Sequence, residues 1–244
     1  MKKLLLAGAS VIAVASAAPA SAADLSVKAP MMMAPAVFSW TGCYVGAHVG
    51  HAWGKTDTQG ISTNGAPTTY NTGSMDVSGS IFGGQLGCNY QVAPTFVIGV
   101  EGSYSGAGIT GIAGFGDGSG ANCCFVQMKT DALASITGRL GWTGWDPRTL
   151  FYVKGGWAYA HDQFAFSYAL TEKQDRSGWV VGFGVEWAFA QNWSVFAEYD
   201  HYDFGTKRTP NSFGPTSTSV SSVDITQKFD SVRVGANYKF NLFH

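Results

Sequence analysis

The chain has 244 residues and a formal net charge of −1; only 13% of its residues are charged, while 14% are aromatic. The balanced charge argues against a nucleic-acid partner, which requires a basic surface. Ordinary soluble domains carry about 25% charged residues, so a fully water-exposed protein of this composition would stay dispersed with difficulty. Few charges and many aromatic residues are typical instead of a chain whose outer surface faces lipid.

The first residues predict an export signal. Lys2 and Lys3 precede an apolar run that closes at Ala20-Ser-Ala22, a small-residue pattern that signal peptidases recognise. We therefore expect residues 1–22 to be a cleaved signal peptide. The run is too short for a membrane anchor, and no later segment reaches the roughly 18 consecutive apolar residues that a helical span requires. Residues 23–39 show no periodicity and are predicted to form a flexible periplasmic leader.

Residues 40–244 contain segments in which apolar and polar residues alternate. The last segment is the clearest, since one face carries Val232, Val234, Ala236, Tyr238 and Phe240 and the other carries Arg233, Asn237 and Lys239. Alternation with a period of two predicts a strand with one apolar and one polar face, and its length fits the roughly 9–11 residues of a tilted membrane-crossing strand. Similar segments precede it at 41–53, 79–92, 96–105, 127–142, 150–162, 179–189 and 193–204.

These strands are predicted to close into a barrel. A strand that exposes an apolar face to lipid must pair both backbone edges, because hydrocarbon offers no hydrogen-bond partner. The connections near residues 93, 146 and 191 are short, whereas those at 54–78, 106–126, 163–177 and 205–227 are long and rich in Gly, Ser, Thr and Asn.

We therefore predict an all-β fold, an eight-stranded antiparallel up-and-down transmembrane β-barrel of residues 40–244, with short periplasmic turns and long extracellular loops. A soluble lipocalin-like barrel is the alternative fold. The scarcity of charge and the tryptophans near the strand ends favour the membrane barrel.

The polar faces of the predicted strands carry charges of both signs. They are Glu101, Asp131, Arg139, Lys154, Glu186, Glu198, Arg233 and Lys239. An eight-stranded barrel has an interior just wide enough to be filled by side chains, so charges confined there must pair. One interpretation is a salt-bridged plug, and the other is a narrow polar conduit for ions or small solutes.

Three histidines, His51, His161 and His201, are predicted at the outer rim, with Asp162 and Asp200 close by. Such a set could form a metal, haem or catalytic site, but its members come from different strands and only the fold can bring them together. Histidines of the interfacial belt are the simpler interpretation. We therefore assign no catalytic residue, metal ligand or cofactor, and expect no enzymatic activity.

The four cysteines lie in an exported chain, where disulfides form. Cys43 and Cys88 fall on neighbouring strands near the short-turn end, so they either form a cross-strand bridge, if their Cα atoms lie within about 7 Å, or remain two lipid-facing thiols. Cys123 and Cys124 are predicted in the second long loop, where a bridge between adjacent residues would be strained. Pairing across molecules and reduced thiols are the alternatives for them.

Four stretches carry a resemblance to a known family. They are Trp40-Thr-Gly-Cys-Tyr-Val-Gly-Ala-His-Val-Gly, Thr137-Gly-Arg-Leu-Gly141, Glu198-Tyr-Asp-His-Tyr-Asp-Phe-Gly205 and Val232-Arg-Val-Gly-Ala-Asn-Tyr-Lys-Phe240. In order and spacing they resemble the OmpA-type barrels called outer-membrane immunogenic proteins, or porin-family proteins, of Gram-negative bacteria. The resemblance implies a location in the outer membrane and a final strand that carries the recognition signal for the barrel-assembly machinery. That signal would comprise Val232, Val234, Ala236, Tyr238 and Phe240.

We expect the partners to be outer-membrane lipid, lipopolysaccharide and the barrel-assembly machinery, with no nucleic acid. We expect the barrel to be monomeric, with an oligomer such as a trimer as the alternative. The expected function is an envelope-structural and surface-exposed role, to which the porin label of the family adds a narrow pore. The alternative is a surface adhesin or a ligand-binding barrel, for haem as an example, that acts through its extracellular loops.

Overall fold

The computed structural model describes residues 38–62, 64–67, 73–116, 122–166, 171–210 and 220–240. Eight strands follow one another: β1 (Gly42–Ser62), β2 (Gly73–Ala93), β3 (Phe96–Gly116), β4 (Asn122–Trp142), β5 (Thr149–Phe166), β6 (Thr171–Trp187), β7 (Trp193–Pro210) and β8 (Val220–Phe240). Each strand pairs with the next and β8 pairs antiparallel with β1, so the sheet closes into a barrel. The predicted eight-stranded up-and-down fold is confirmed. The predicted signal peptide and all but the last two residues of the predicted leader lie outside the described residues.

An apolar belt surrounds the half of the barrel that carries the short turns. Its outward side chains are large and well exposed, as in Phe82 at 65%, Leu86 at 67% and Ile136 at 65%. Aromatic residues bound the belt: Trp142, Trp187 and Trp193 on the short-turn side and Trp53, Trp157 and Trp179 on the other. A belt of this kind between two aromatic girdles is the lipid-facing surface of a membrane barrel. In the described part of the chain, no helix is long and apolar enough to cross a membrane.

The strands extend well beyond the belt. They contain 17 to 21 residues, about twice the length that a membrane crossing needs. The prediction of long loops at 54–78, 106–126, 163–177 and 205–227 was therefore wrong, because most of these residues continue the strands. Their many small polar residues are typical of loops, but strands in water also carry such residues on their outward face.

The interior changes character where the strands leave the belt. Above the aromatic girdle most outward residues are polar, while most inward side chains form an apolar core. Its larger members are Met75, Val77, Ile81, Ile109, Met128, Leu133, Val180, Tyr202, Phe204, Val223, Ile225 and Phe229. This extension is organised as a water-soluble barrel, with its apolar face inside, whereas the belt region has its apolar face outside.

A second apolar cluster closes the short-turn end. Phe38 and Trp40 pack there with Val97, Leu150 and Tyr152. The indole N–H of Trp40 donates to the backbone carbonyl of Pro147 at 3.0 Å, and its backbone N–H donates to Gln91 at 3.0 Å. The chain entering β1 is thus fixed across the mouth of the barrel.

The cysteine alternatives resolve differently for the two pairs. Cys43 and Cys88 are register partners of β1 and β2, with Cα atoms 3.9 Å apart, and they form a disulfide. Cys123 and Cys124 lie in β4 and not in a loop, which corrects the prediction, and Cys124 is the register partner of Phe115. Their side chains lie outside the described residues.

Candidate functional site

The middle of the lumen contains a network of buried ion pairs around Arg139. This guanidinium lies 2.9 Å from the carboxylate of Glu186 and 3.4 Å from that of Glu101, and it donates to the hydroxyl oxygen of Tyr44 at 2.5 Å. Tyr44 in turn donates to Glu101 at 2.7 Å. The ring of Tyr152 lies under the Arg139 guanidinium, 3.9 Å from its carbon, where it contributes a cation–π contact.

Two further cations complete the network. The Lys154 ammonium lies 2.8 Å from Glu198, 3.2 Å from Asp200 and 3.4 Å from Glu101. Arg233 forms an ion pair with Glu198 and another with Asp200, the second at 3.0 Å. Every one of these side chains is at most 6% exposed. Shared carboxylates thus link three cations into one unit that crosses the lumen.

A chain of neutral polar groups attaches to this network. His48 contacts Gln85 at 2.6 Å and Ser105 at 2.7 Å through its two ring nitrogens. Gln85 donates to Asn237 at 2.7 Å, and Asn237 donates to Glu186 at 2.8 Å. These bonds satisfy polar groups that could not be left bare in a closed interior.

Six of the eight predicted lumen charges meet in the network. They are Glu101, Arg139, Lys154, Glu186, Glu198 and Arg233. Asp131 does not join them, because a register irregularity between Thr130 and Ala132 reverses the inward and outward phases of β4. Asp131 pairs instead with Lys129 at 2.7 Å on the outer side. Lys239 lies at the closed mouth, with its ammonium 4.2 Å from the centre of the Phe38 ring.

The prediction missed Asp200 as a lumen carboxylate and placed it at the rim. Its position two residues after Glu198 is the signal that could have found it, since strand alternation puts both on one face. Asp162 also points inward and accepts from Thr130 at 2.6 Å. Tyr44, Tyr152 and His48 were missed because the sequence does not show whether an aromatic residue with polar neighbours contacts the charged groups of the lumen.

The three predicted rim histidines each have a different partner. His51 stacks on Trp53 at 6.2 Å, His161 contacts Asp175 at 2.6 Å, and His201 contacts Asp230 at 2.7 Å. Among the described residues, no group of three or more His, Cys, Asp or Glu side chains is placed to hold a metal ion.

Two of these contacts repeat one arrangement on the outer face. Tyr159 and His161 of β5 both bond to Asp175, and Tyr199 and His201 of β7 both bond to Asp230. Hydrogen bonds from His161 and then Tyr159 hold the pKa of Asp175 below its ordinary value. The arrangement lies where the apolar belt ends, so it belongs to the interfacial girdle.

The residues of the predicted assembly signal lie on β8, which pairs with β1 at the barrel closure. Val232, Val234 and Tyr238 are 44%, 49% and 42% exposed and face outward. Ala236 and Phe240 share their face and are half-buried. Phe240 is the register partner of Cys43.

A closed barrel with a lipid-facing belt, aromatic girdles and a polar interior defines an integral outer-membrane β-barrel protein. The sequence profile of the outer membrane protein beta-barrel domain matches residues 7–240. A 31 kDa outer-membrane immunogenic protein of Brucella melitensis biotype 1 is 33% identical, and the match covers 98% of this chain and all of the relative. Its counterpart in Brucella suis biovar 1 matches to the same extent. This chain therefore belongs to the outer membrane protein β-barrel family, which confirms the predicted resemblance and location.

A solved structure shares the fold. The outer membrane protein OprG from Pseudomonas aeruginosa superimposes with a TM-score of 0.54 at 12% identity, covering 84% of this chain and 98% of that protein. At this identity the likeness concerns the fold alone.

Proposed function

We propose that this protein is a structural barrel of the outer membrane, closed to solutes, whose long strands carry a polar rim to the cell surface. The observation that supports this function is the packed lumen. A hydrated path is interrupted at three levels, by the Phe38 and Trp40 cluster, by the charge network and by the apolar core above the girdle. An ion passing the two apolar levels would lose most of its hydration, and the buried charges above the girdle, Asp162 and Arg176, are paired with each other at 3.5 Å.

The narrow pore is the weaker candidate for the same reason. Porins that conduct have wider barrels with water-filled interiors, whereas eight strands leave a lumen that side chains fill. The charges here are paired with one another, and the side chains of Arg139 and Lys154 are only 3% and 0% exposed. They are thus arranged to satisfy each other and not a passing ion.

Planar-bilayer conductance tests the proposal. We expect purified protein, shown to be folded by heat-modifiable migration, to leave the bilayer silent while a conducting porin gives steps in the same chamber. Reproducible steps that change in Arg139→Ala or Glu186→Ala, but not in the outward-facing control Lys129→Ala, would overturn the closed lumen.

The surface-exposed part of the proposal draws on the Brucella relatives, which are named immunogenic outer-membrane proteins. The alternative, an adhesin or a ligand-binding barrel for a molecule such as haem, would act through the connections at 63–72, 117–121, 167–170 and 211–219. All but residues 64–67 of these lie outside the described residues, so this alternative stays a prediction. Replacing the connections by Gly-Ser linkers tests it, because binding should then vanish while the barrel still folds.

The assembly signal is part of the same proposal. An outward row on the strand that closes the barrel is accessible to a partner that recognises an unpaired β8 before closure. Truncation before Phe240 should lower the yield of assembled barrel in cells, with synthesis of the precursor unchanged.

A further inference from the structure

We infer that the barrel wall has a lateral seam between β6 and β7 above the aromatic girdle, where side chains replace backbone hydrogen bonds and the cell-surface half can open sideways. The membrane-spanning half stays closed below this seam. The inference goes beyond the proposed function, because it concerns the wall of the barrel and holds whether or not the lumen conducts.

Backbone pairing between β6 and β7 ends early. Their ladder rises from the short-turn side only as far as Trp179 and its register partner Asp203. The upper segments, residues 171–178 of β6 and 204–210 of β7, remain paired on their other sides with β5 and β8. Within the described residues, no backbone pair joins the two upper segments to each other. The hydrogen bonds that hold neighbouring strands together are therefore missing from this part of the wall.

A bulge in β7 accounts for the separation. The pairing of β7 with β8 shifts register between Asp203 and Thr206. Between them Gly205 adopts a φ of +63°, and its backbone N–H donates to the carboxylate of Asp203 at 2.8 Å. An extra residue bends a strand, and a glycine adopts the left-handed conformation without strain. The bend lies where the ladder with β6 ends, so it directs the upper part of β7 away from β6.

The boundary between β2 and β3 provides a comparison. Its register also stops short of the strand ends, at Ser78 and Thr110. The two backbones nevertheless stay close above that point, because a Cβ on Gly111 would lie 3.0 Å from the backbone oxygen of Asp76. At the bend of β7, by contrast, a Cβ on Gly205 would meet no atom within 4 Å. The β2–β3 boundary is therefore packed shut, whereas the β6–β7 seam is not.

A lysine side chain links the two upper segments. The ammonium of Lys207 on β7 donates to the backbone carbonyl of Asp175 on β6 at 2.9 Å. In a complete antiparallel ladder that carbonyl would accept a hydrogen bond from a backbone N–H of β7. Lys207 is exposed, so the bond that replaces the ladder is made by a flexible side chain in contact with water. Such a bond contributes little to holding the strands together.

A buried arginine links the strands on the inner side. Arg176 of β6 donates to the backbone carbonyl of Ile225 on β8 at 3.1 Å, and it lies 3.5 Å from the carboxylate of Asp162 on β5. Arg176 is 2% exposed and Asp162 is 0% exposed. An ion pair inside an apolar core is costly in desolvation. Its position is explained here because Arg176 joins β6 to β8 past the strand that has left the ladder.

The resting state of the seam is closed, because apolar side chains lie behind it. Phe204 and Ile225 are 6% and 4% exposed, and separation of the upper segments would bring them into contact with water. The β5–β6 and β7–β8 ladders continue through the upper segments, so each pair of strands can move as a unit. Below Trp179 the β6–β7 ladder is continuous, and it limits the opening to the cell-surface half.

The test measures distances across the seam by double electron–electron resonance between two nitroxide labels, with the protein refolded in phosphatidylcholine vesicles. One label pair, Lys173→Cys on β6 and Thr226→Cys on β8, spans β7 and the seam. The control pair, Lys55→Cys on β1 and Thr110→Cys on β3, spans β2 and the closed β2–β3 boundary. All four positions lie on outward faces at or above the girdle. The background for both pairs is Cys123→Ser/Cys124→Ser, which keeps the disulfide.

Three substitutions are compared for each label pair. Arg176→Met removes the inner link, and Lys207→Met removes the outer link. The control, Arg208→Met, removes a cation of the same segment of β7 that pairs with Asp224 of β8 and so does not cross the seam. Heat-modifiable migration establishes that each variant is folded.

We expect the seam pair to show a broader distance distribution than the control pair in the otherwise unsubstituted protein. Arg176→Met should raise the population of long distances across the seam at least about twofold, with a smaller rise in Lys207→Met and none in Arg208→Met. The control pair should stay unchanged throughout.

Equally narrow distributions for both label pairs, unaltered by Arg176→Met and Lys207→Met, would overturn the seam. Equal broadening of the control pair, or an equal effect of Arg208→Met, would also overturn it, because the whole extension would then be loose. If Arg176→Met does not fold, Lys207→Met decides, since its side chain is exposed and lies outside the core. An unchanged seam distribution in that variant would then refute the inference.

Discussion

Lys154→Met is the most direct test of the buried network. Methionine has nearly the length of lysine and keeps its apolar stem, so the substitution removes the ammonium with little change in volume. That ammonium lies 2.8 Å from Glu198, 3.2 Å from Asp200 and 3.4 Å from Glu101, and the side chain is 0% exposed. Its removal leaves carboxylates in a closed interior with fewer cations.

The expected loss follows from two opposed quantities. At a separation of about 4 Å and an effective dielectric constant of about 20, each attraction amounts to about 4 kcal/mol. Desolvation of the buried groups offsets most of the sum, but breaking such a network by removing one partner costs about 3–5 kcal/mol, because the remaining charges stay buried. Arg139 and Arg233 retain their contacts with the same carboxylates. We therefore expect the free energy of unfolding to fall by about 3–5 kcal/mol and the barrel still to fold.

Urea titration of the protein in phosphatidylcholine vesicles, followed by tryptophan fluorescence, measures this loss. The matched control is Lys129→Met, since Lys129 is 52% exposed and its pair with Asp131 should contribute only about 0–1 kcal/mol. Adding Glu198→Gln to Lys154→Met should restore part of the stability, because it reduces the excess of four buried carboxylates over the two remaining cations, Arg139 and Arg233. If Lys154→Met and the control lose equal stability, the network is hydrated and the closed-lumen reasoning fails.

Three further substitutions test other parts of the barrel. Gly46→Ala should lower the free energy of unfolding by at least about 1–3 kcal/mol, because the new Cβ would collide with a backbone carbonyl of β8. The control is Gly138→Ala, whose new Cβ would have no neighbouring atom nearer than 4.0 Å, and which should change stability by less than about 0.5 kcal/mol in the same titration. Replacing both Cys43 and Cys88 by serine should cost about 2–4 kcal/mol, and reductant should then have no additional effect. The depressed pKa of Asp175 means that its contribution to stability is present above the ordinary value of 3.8 and is lost as the pH falls through the folded-state value. Amide protection factors in β6, corrected for the intrinsic pH dependence of exchange, should therefore fall below about pH 4, and Asp175→Asn should abolish that fall.

The alternation of side chains was sufficient to predict the membrane-crossing part of every strand. Val232, Val234 and Tyr238 face outward and Arg233 faces inward, as a period of two requires. The short turns and the closure followed from the need to pair every backbone edge in lipid. Six of the eight lumen charges were found in the same way, since each lies in the belt portion of its strand, where alternation is not interrupted.

Alternation fails where a strand contains a bulge, because one extra residue exchanges its two faces. In β4 the residues Lys129, Asp131 and Arg139 are in phase by sequence number, and only Arg139 reaches the lumen. Nothing in the residue types between Thr130 and Ala132 announces the irregularity. Pairing partners are a further limit, because alternation indicates which face a carboxylate shares but not which cation across the lumen it will meet.

The strand extensions were missed for a different reason, and that reason bears on the proposed closure of the lumen. The same inward row of β2 carries Gln85 and Asn89 within the belt and Met75 and Val77 above it. A strand leaving the membrane exchanges lipid for water on its outer face, so the outer residues become polar and the burial of apolar surface moves inside. An apolar interior excludes the water that a conducting lumen needs. The change that makes the extension stable in water is thus the same change that, in the proposed closed barrel, blocks the lumen above its charge network.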